Sequence, residues 1–276
     1  MDRSAPDPLT AIRERIDRID ETMHRLLIDR SAVIAELIRV KGTSKPGAAF
    51  RPDREADMMR RIVLRHEGDL PLVTVEHIWR EIITTFTAMQ SPFGIVTAPM
   101  PSGGAADALA LRDLVRFYFG FSVPVAEAAS AAEAIARVAG PGNELAIVPL
   151  GGEGRWWASL AGAEAPKVFA RLPFIEADAR PASLPAYVVG PRLLDPAPAD
   201  LHLYALADSG DARAALAQAG CAIVARAEGE LLVEAPTTLE DEDAASLGLA
   251  AGSEFGAFAR PIRIVAENVA TERAAS

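Results

Sequence analysis

The sequence lacks the features that mark membrane-spanning, disulfide-stabilised and secreted proteins. No run of apolar residues approaches the roughly 18 uncharged positions that a membrane-spanning helix requires. Cys221 is the single cysteine, so an internal disulfide is impossible, and its Ala-rich surroundings predict a position in the core. The first eight residues do not follow the basic-then-apolar pattern of a signal peptide. We therefore expect a cytoplasmic protein.

Basic residues are too few for the chain as a whole to bind a polyanion. The sequence has 28 Lys and Arg against 38 Asp and Glu, which gives a net charge of -10. Residues 1–92 contain 15 residues of each sign, so the acidic excess lies in residues 93–276. Because such a body repels nucleic acid and anionic lipid, we expect neither nucleic acid nor a membrane as a partner. Any anion-binding site should lie in the first third of the chain.

The composition is otherwise that of an ordinary globular protein. Of the 276 residues, 50% are hydrophobic and 24% are charged, which is enough for two or three domains with their own cores. After Ser91-Pro92 the hydrophobic pattern changes from long helical periods to short apolar runs separated by Gly, Pro and Ala-rich helices. We predict a multi-domain chain with an all-α domain (1–92), an α/β domain (93–198) and a ferredoxin-like domain (199–276).

One long helix dominates the first domain. Apolar residues recur at alternating steps of three and four from Leu9 to Val40, and neither Gly nor Pro interrupts this heptad seam. At about 1.5 Å per residue the helix is roughly 48 Å long. Two shorter helices are predicted to follow, one over 53–66 with Asp53 as its N-cap and one over 74–90. The first of them is expected to have Met58, Met59, Ile62 and Val63 on its inner face. The second has apolar residues at helical spacing: Val75, Ile78, Trp79, Ile82, Ile83, Phe86 and Met89.

The long seam needs an apolar partner of similar length. Two short helices of the same chain do not supply that length, whereas the first helix of a second copy does. We therefore predict an intertwined homodimer in which the first helices pair across a two-fold axis. The alternative is a monomeric helical hairpin that packs against the C-terminal part.

Residues 93–276 alternate predicted strands and helices. Strands are expected over 93–99, 123–126, 144–150, 167–175 and 186–190, with helices over 108–119 and 131–138. From residue 200 the predicted order is strand 201–207, helix 211–219, strands 221–227 and 230–235, helix 239–249 and strand 255–264. This βαββαβ order is that of ferredoxin-like folds and of ACT-type ligand-sensing domains.

Charged residues of the first domain lie where an anion site would form. Arg30 occupies a seam position among otherwise apolar residues, so its guanidinium is either paired within the protein or faces a ligand anion. Lys41 lies three turns further along nearly the same face, and Arg54 and Glu55 open the second helix. Gln90 lies on the apolar face of the third helix, where a polar side chain needs a partner.

Arg13 indicates that the site is shared between two chains. It lies 28 positions before Lys41, roughly 42 Å along the helix axis, so the two cannot contact one small molecule on their own helix. If two first helices pair antiparallel, Arg13 of one protomer comes close to Arg30 and Lys41 of the other. A cationic cavity with one carboxylate and one amide suits a small dicarboxylate. The sequence shows no metal-ligand cluster, nucleophilic pair or phosphate-binding glycine loop, so we expect neither a metal nor a cofactor.

Several short motifs share their spacing with one known family. They are residues 9–17 (Leu-Thr-Ala-Ile-Arg-Glu-Arg-Ile-Asp), 26–30 (Leu-Leu-Ile-Asp-Arg), 39–41 (Arg-Val-Lys), 51–55 (Arg-Pro-Asp-Arg-Glu) and 79–83 (Trp-Arg-Glu-Ile-Ile), followed by Gln90. With these motifs, residues 8–90 resemble the all-α class of chorismate mutases, whose fold is a three-helix intertwined dimer. Two positions depart from the family pattern: Arg51 stands where an acidic residue is common, and Phe86 stands where some members have Ser.

The resemblance implies that six residues bind chorismate: Arg13 of the other chain, Arg30, Lys41, Arg54, Glu55 and Gln90. Lys41 and Gln90 would hydrogen-bond the ether oxygen, and Glu55 would accept a hydrogen bond from the ring hydroxyl. Arg13 and Arg30 would hold the carboxylates, and Arg54 would support the anionic groups. Arg30, Lys41, Gln90 and Glu55 would be the catalytic residues.

The reaction that the resemblance implies is the Claisen rearrangement of chorismate to prephenate, in phenylalanine and tyrosine biosynthesis. It requires no nucleophile, general base or cofactor. The enzyme has to hold the compact conformer and stabilise the charge that builds on the ether oxygen. A site rich in cations and without an acid–base pair fits this isomerase chemistry.

Residues 144–150 (Glu-Leu-Ala-Ile-Val-Pro-Leu) and the helix before them resemble the prephenate dehydratase part of bifunctional mutase/dehydratase proteins, which continues into an ACT domain. Here Gly151-Gly152 replace the Glu-Asn of the family, residues 183–189 replace its Thr-Arg-Phe motif, and Ala214 replaces the first residue of its Gly-Ala-Leu turn. We therefore expect a degenerate C-terminal region without dehydratase activity. The alternatives are a working bifunctional mutase/dehydratase, an enzyme resembling isochorismate pyruvate-lyase, and a non-catalytic sensor of an aromatic precursor.

Overall fold

The computed structural model describes residues 7–41, 50–100, 104–152, 154–162, 164–178, 180–193, 199–237, 241–247, 249 and 254–264. The chain divides into two compact units, residues 1–44 and residues 45–276. Within the described residues no helix is both long enough and apolar enough to cross a lipid bilayer.

The first unit is built on a single helix, α1 (Pro8–Lys41). The predicted long helix is confirmed and is one residue longer at each end. Its seam is exposed to solvent, since eight seam residues keep at least half of their surface accessible: Leu9, Ile12, Ile16, Ile19, Met23, Leu26, Val33 and Val40. An apolar stripe of this length on a solvent-facing helix is typical of an association surface.

The helix α2 (Pro52–Arg65) begins one residue before the predicted start. Arg51 is its N-cap residue and Pro52 lies in its first turn, so the prediction of Asp53 as the cap is wrong. Proline favours the first turn because its φ is already helical and its missing N–H would have no partner there. Asp53 and Glu55 place carboxylates in the same turn, which the helix dipole favours.

The helix α3 (Leu72–Gln90) buries a polar face. Its buried polar residues are Glu76, Arg80, Thr84 and Thr87. Of the apolar residues that the sequence places at helical spacing, Ile83 and Phe86 are buried, whereas Ile78 and Met89 are 45% and 49% exposed. The buried face of α3 therefore combines apolar and polar side chains.

The following elements run as an α/β series. They are β1 (Gly94–Thr97), α4 (Ala105–Phe119), β2 (Val125–Glu127), α5 (Ala131–Val138), β3 (Glu144–Pro149), a 3-10 helix (Trp156–Leu160), β4 (Lys167–Leu172), β5 (Ile175–Ala177) and β6 (Ala186–Gly190). The strand predicted over 167–175 is divided, because Pro173 follows β4 and lacks the N–H that a continuing ladder would use.

The remaining elements are β7 (Leu201–Ala207), α6 (Gly210–Gln218), β8 (Ala222–Ala227), β9 (Glu230–Pro236), α7 (Asp241–Ser246), β10 (Gly256–Phe258) and β11 (Ile262–Ile264). The predicted βαββαβ order is confirmed through β10. Strands β10, β7, β9 and β8 are neighbours in that order and all pair antiparallel, as in a ferredoxin-like sheet. The last predicted strand is divided, since β11 leaves this sheet and pairs with β5.

The strands of the α/β series and the ferredoxin-like strands form one nine-stranded mixed sheet, in the order β2-β1-β3-β6-β4-β10-β7-β9-β8. Strands β2, β1 and β3 are parallel neighbours, β6 runs antiparallel to β3 and β4, and β10 pairs parallel with β4. A helical N-terminal region followed by an α/β region with a large mixed sheet confirms the predicted fold class. The domain limits at 92 and 198 stay predictions.

The core lies on both faces of this sheet. Alternate residues of β1 and β3 point to opposite sides. Ile95 and Leu145 pack with α2, α3 and α4 on one face, and Val96 and Ala146 pack with α5 and the 3-10 helix on the other. Helices α2 and α3 therefore pack against one face of the sheet.

Candidate active site

Three of the six predicted site residues lie on α1 and three on α2 and α3. Arg13 is exposed, Arg30 is half-buried and Lys41 is the last residue of α1. Because α1 is continuous, Arg13 and Lys41 of one chain are separated by roughly 42 Å along its axis. Arg54 is exposed in the first turn of α2.

Glu55 is the predicted site residue with the most defined surroundings. Its Oε2 accepts a hydrogen bond from Nη1 of Arg80 at 3.2 Å, and its side chain is 29% exposed. Burial raises the pKa of Glu55 above its ordinary value, while the guanidinium of Arg80 lowers it and the carboxylate of Asp53 raises it further. Ionisation of Glu55 therefore depends on Arg80.

Gln90 lies at the C-terminal end of α3 and is half-buried. Its Nε2 donates to the carbonyl oxygen of Phe86 at 3.0 Å, one turn earlier in the same helix. A carboxamide has two N–H donors, so this bond fixes the amide and leaves it a second N–H. Gln90 does not line the cavity that Glu55 lines.

A cavity of about 70 Å³ lies between α2, α3 and the sheet. Its apolar wall includes five phenylalanines: Phe50, Phe93, Phe119, Phe169 and Phe174. Its polar wall consists of Glu55, Arg80, Tyr118 and Arg171, with Thr84 and Thr87 beside them. The cavity is therefore lined mainly by apolar side chains, together with three charged residues, Glu55, Arg80 and Arg171.

Arg80 is held between aromatic rings of the α/β region. The residue is 8% exposed, and its Cζ lies 5.1 Å from the ring centroid of Tyr118 and 5.8 Å from that of Phe174. Cation–π contacts of this kind orient a guanidinium and compensate part of its desolvation. The Nε of Arg80 is buried and has no hydrogen-bond partner among the described residues.

A buried ion pair supports this aromatic wall. Glu76 of α3 pairs with Nη1 of Arg180 at 3.1 Å, and both side chains are almost fully buried. The hydroxyl of Tyr118 donates to Glu76 at 2.8 Å and accepts from the backbone N–H of Phe174 at 2.9 Å. Burial and the nearby Glu76 raise the pKa of Tyr118, so its hydroxyl stays protonated as a donor.

Sequence reasoning missed Arg80, Tyr118 and the pair of Glu76 with Arg180. The signal was a polar stripe on α3, since positions 76, 80, 84 and 87 follow one another at helical spacing. The partners of this stripe are distant in sequence, so the spacing alone does not identify it as a buried face.

A second cavity of about 650 Å³ lies at the carboxyl ends of β1 and β2. Thr97, Arg112, Arg116 and Glu127 line it. Arg116 is used structurally, because it donates to the carbonyl oxygens of Gly120 and Val123 and packs against Phe121. Among the described residues, no group of three or more His, Cys, Asp or Glu could hold a metal ion.

Residues 12–91 match the family model for chorismate mutase type II. The match includes all six predicted site residues. It confirms the predicted resemblance of the first third of the chain to the all-α chorismate mutases.

Curated relatives match the N-terminal region over a longer stretch. The bifunctional chorismate mutase/prephenate dehydratase of Stutzerimonas stutzeri is 30% identical over 151 residues, which is 53% of this chain and 40% of that protein. The protein of the same description from Pseudomonas aeruginosa is 29% identical over 148 residues, 52% of this chain and 39% of that protein. The chain thus spans about two fifths of the length of these relatives.

One solved structure, described as GqqA, a novel type of quorum quenching acylase, covers 60% of this chain and 94% of its own length. Its TM-score is 0.36 at 15% identity, and at this level no statement about fold or function follows.

Proposed function

We propose that this chain, whose residues 12–91 match the chorismate mutase type II family, converts chorismate to prephenate as a homodimer. The observation that carries the proposal is that the family match spans every residue of the predicted substrate site. A cytoplasmic location and the absence of a cofactor belong to the same proposal.

The proposed mechanism rests on binding and electrostatics. Arg30 and Arg13 of the partner chain hold the two carboxylates and so keep the substrate in its compact conformer. As the C–O bond breaks, Lys41 and Gln90 stabilise the charge on the ether oxygen. Glu55 accepts a hydrogen bond from the ring hydroxyl, and Arg54 supports the anionic groups.

The exposed seam of α1 supports the proposed dimer. A stripe of exposed apolar residues that runs from Leu9 to Val40 of a 34-residue helix is suited to a second copy of the same helix. The length of α1 supports a shared site, since Arg13 and Lys41 of one chain are too far apart to bind one substrate.

A complementation assay tests both parts of the proposal. The wild-type protein is incubated with chorismate, and prephenate is identified as the product. Arg13→Ala and Lys41→Ala are each expected to lose most of the activity. When the two variants are mixed and allowed to exchange subunits, half of the dimers regain one intact site, so about a quarter of the wild-type activity returns.

Each outcome of this assay has a defined meaning. Recovery on mixing supports a site built from two chains, whereas inactivity of the mixture despite subunit exchange contradicts it. No conversion of chorismate by the wild type contradicts the mutase, and conversion of prephenate to phenylpyruvate identifies the bifunctional alternative.

A further inference from the structure

The α/β region reaches the Glu55 carboxylate through one side chain of α3. Arg80 contacts Glu55 on one side, at 3.2 Å, and the rings of Tyr118 and Phe174 on the other. Tyr118 is on α4, and Phe174 lies between β4 and β5, so both rings belong to the region after residue 92. This path connects a proposed substrate contact to a part of the chain that the reaction itself does not require.

Each contact on the path is fixed by burial. Arg80 is 8% exposed, and Tyr118 is held by hydrogen bonds to Glu76 and to the backbone of Phe174. A guanidinium in this position has little freedom to turn away from Glu55, because the two rings and the surrounding core restrict its orientation. The Glu55 carboxylate, which is partly exposed, thus accepts a hydrogen bond from a donor that is itself held in place.

We propose that Arg80 is a positioning residue for the mutase reaction, which keeps Glu55 ionised and oriented toward the ring hydroxyl of the substrate, and that Tyr118 and Phe174 hold Arg80 in turn. The inference rests on the proposed function. It assigns a role to the α/β region that needs neither a second activity nor an effector.

The charged and titratable groups around Glu55 determine the pH at which its carboxylate becomes protonated. Arg80 of α3 contacts it, Tyr118 of α4 and Arg171 of β4 line the same cavity, and Asp53 lies on its own helix. The charge of Arg171 is engaged elsewhere, since it pairs with Glu234 at 2.7 Å and with Glu176 at 3.6 Å. Arg80 is therefore the cation that lowers the pKa of Glu55 against the effect of burial.

The test compares pH profiles of kcat and KM for wild type, Arg80→Met, Arg80→Lys and Glu55→Gln. Without Arg80 the pKa of Glu55 rises, so Glu55 becomes protonated at a higher pH. The acid limb of the kcat/KM profile is therefore displaced to higher pH. A displacement of one pH unit is about a tenfold loss of kcat/KM on the acid side, with little loss above the limb. Because Glu55 contacts a hydroxyl that does not react, the loss should appear mainly in KM.

Two further comparisons separate positioning from folding. Arg80→Lys keeps the positive charge and should restore most of the acid limb. In the Glu55→Gln background, which has no carboxylate to titrate, Arg80→Met should not displace the limb. Arg137→Met is the matched control, because Arg137 pairs with Glu144 at 2.9 Å and does not contact Glu55.

The outcomes distinguish this inference from the proposed function. If the wild type rearranges chorismate and Arg80→Met lowers kcat/KM equally at every pH, Arg80 only stabilises the fold and the inference is wrong. If Arg137→Met displaces the limb as far as Arg80→Met, the effect is one of general charge and the inference is again wrong. If the wild type does not rearrange chorismate, the proposed function fails and the inference fails with it.

Discussion

At the scale of single residues, Glu55 and Tyr118 each have hydrogen-bond partners that compensate for the burial of a titratable side chain. Glu55 keeps part of its surface in solvent and accepts from one guanidinium. Tyr118 is buried and joins a carboxylate to a backbone N–H through a single hydroxyl. The two side chains meet at Arg80, which contacts both.

Replacement of Tyr118 by Phe tests the value of that hydroxyl. The change keeps the ring against Arg80 but leaves the N–H of Phe174 without its acceptor and removes a donor from Glu76. A buried group that loses its partner destabilises a protein by about 1–3 kcal/mol. We therefore expect the free energy of unfolding in urea to fall by that amount.

The same variant should keep the acid limb of the mutase profile in place, because the cation–π contact with Arg80 remains. An unchanged free energy of unfolding would show that water replaces the hydroxyl, and would contradict the role given to this hydrogen bond.

At the scale of elements, local signals in the sequence predicted most of the boundaries. The ends of α5, β6 and β7 agree with the structure because Ser, Gly and Pro flank compact apolar periods there. Ser130, for example, caps α5 by accepting from the backbone N–H of Glu133.

The buried face of α3 could not be predicted in the same way. Glu76 is buried because Arg180 lies against it, 104 residues further along the chain. No local pattern records such a pair, and a polar stripe without its partner looks like a solvated surface. The fold class could be predicted from the sequence, and the candidate site residues stay predictions made from it, whereas the partners of Glu55 required the tertiary structure.

The exposed seam of α1 predicts that a charged residue placed on it will disrupt the proposed dimer. Met23 is 53% exposed on the seam, and a carboxylate there would face the apolar surface of a second helix. Met23→Asp should therefore convert the proposed dimer to a monomer in sedimentation experiments, with loss of mutase activity. The neighbouring change His24→Asp adds the same charge outside the seam and should leave the dimer intact. A Met23→Asp protein that stays dimeric would contradict helix pairing along this seam.

At the scale of the whole molecule, one short strand joins the two parts of the nine-stranded sheet. Strand β10 has three residues and lies between β4 and β7. Across the same junction, Glu234 of β9 accepts from the hydroxyl of Tyr187 at 2.6 Å and from Arg171 at 2.7 Å. The ferredoxin-like strands are thus tied to the α/β sheet by backbone pairing and by a buried carboxylate.

Gly256 is the position where this junction is tightest. A Cβ added there would lie 2.2 Å from the carbonyl oxygen of Val168, on the neighbouring strand β4. Because backbone has to move to admit it, Gly256→Ala should lower the free energy of unfolding by about 1–3 kcal/mol. Thermal unfolding followed by circular dichroism measures this loss.

Gly210→Ala is the matched control for Gly256→Ala. A Cβ at Gly210 meets no atom within 4 Å, and the position opens α6, where alanine favours the helix. Equal melting temperatures for the two variants would contradict a close approach at the junction.

The order of strands also determines when the sheet can be completed during synthesis. Gly256 pairs with Val168 and with Leu203, residues that leave the ribosome well before it. The hairpin of β8 and β9 closes locally through Glu228 and Gly229, which both have positive φ, whereas β10 has to find partners distant in sequence. Until it does, the facing edges of β4 and β7 stay open to other strands, so the nascent chain is most prone to misassembly just before β10 emerges.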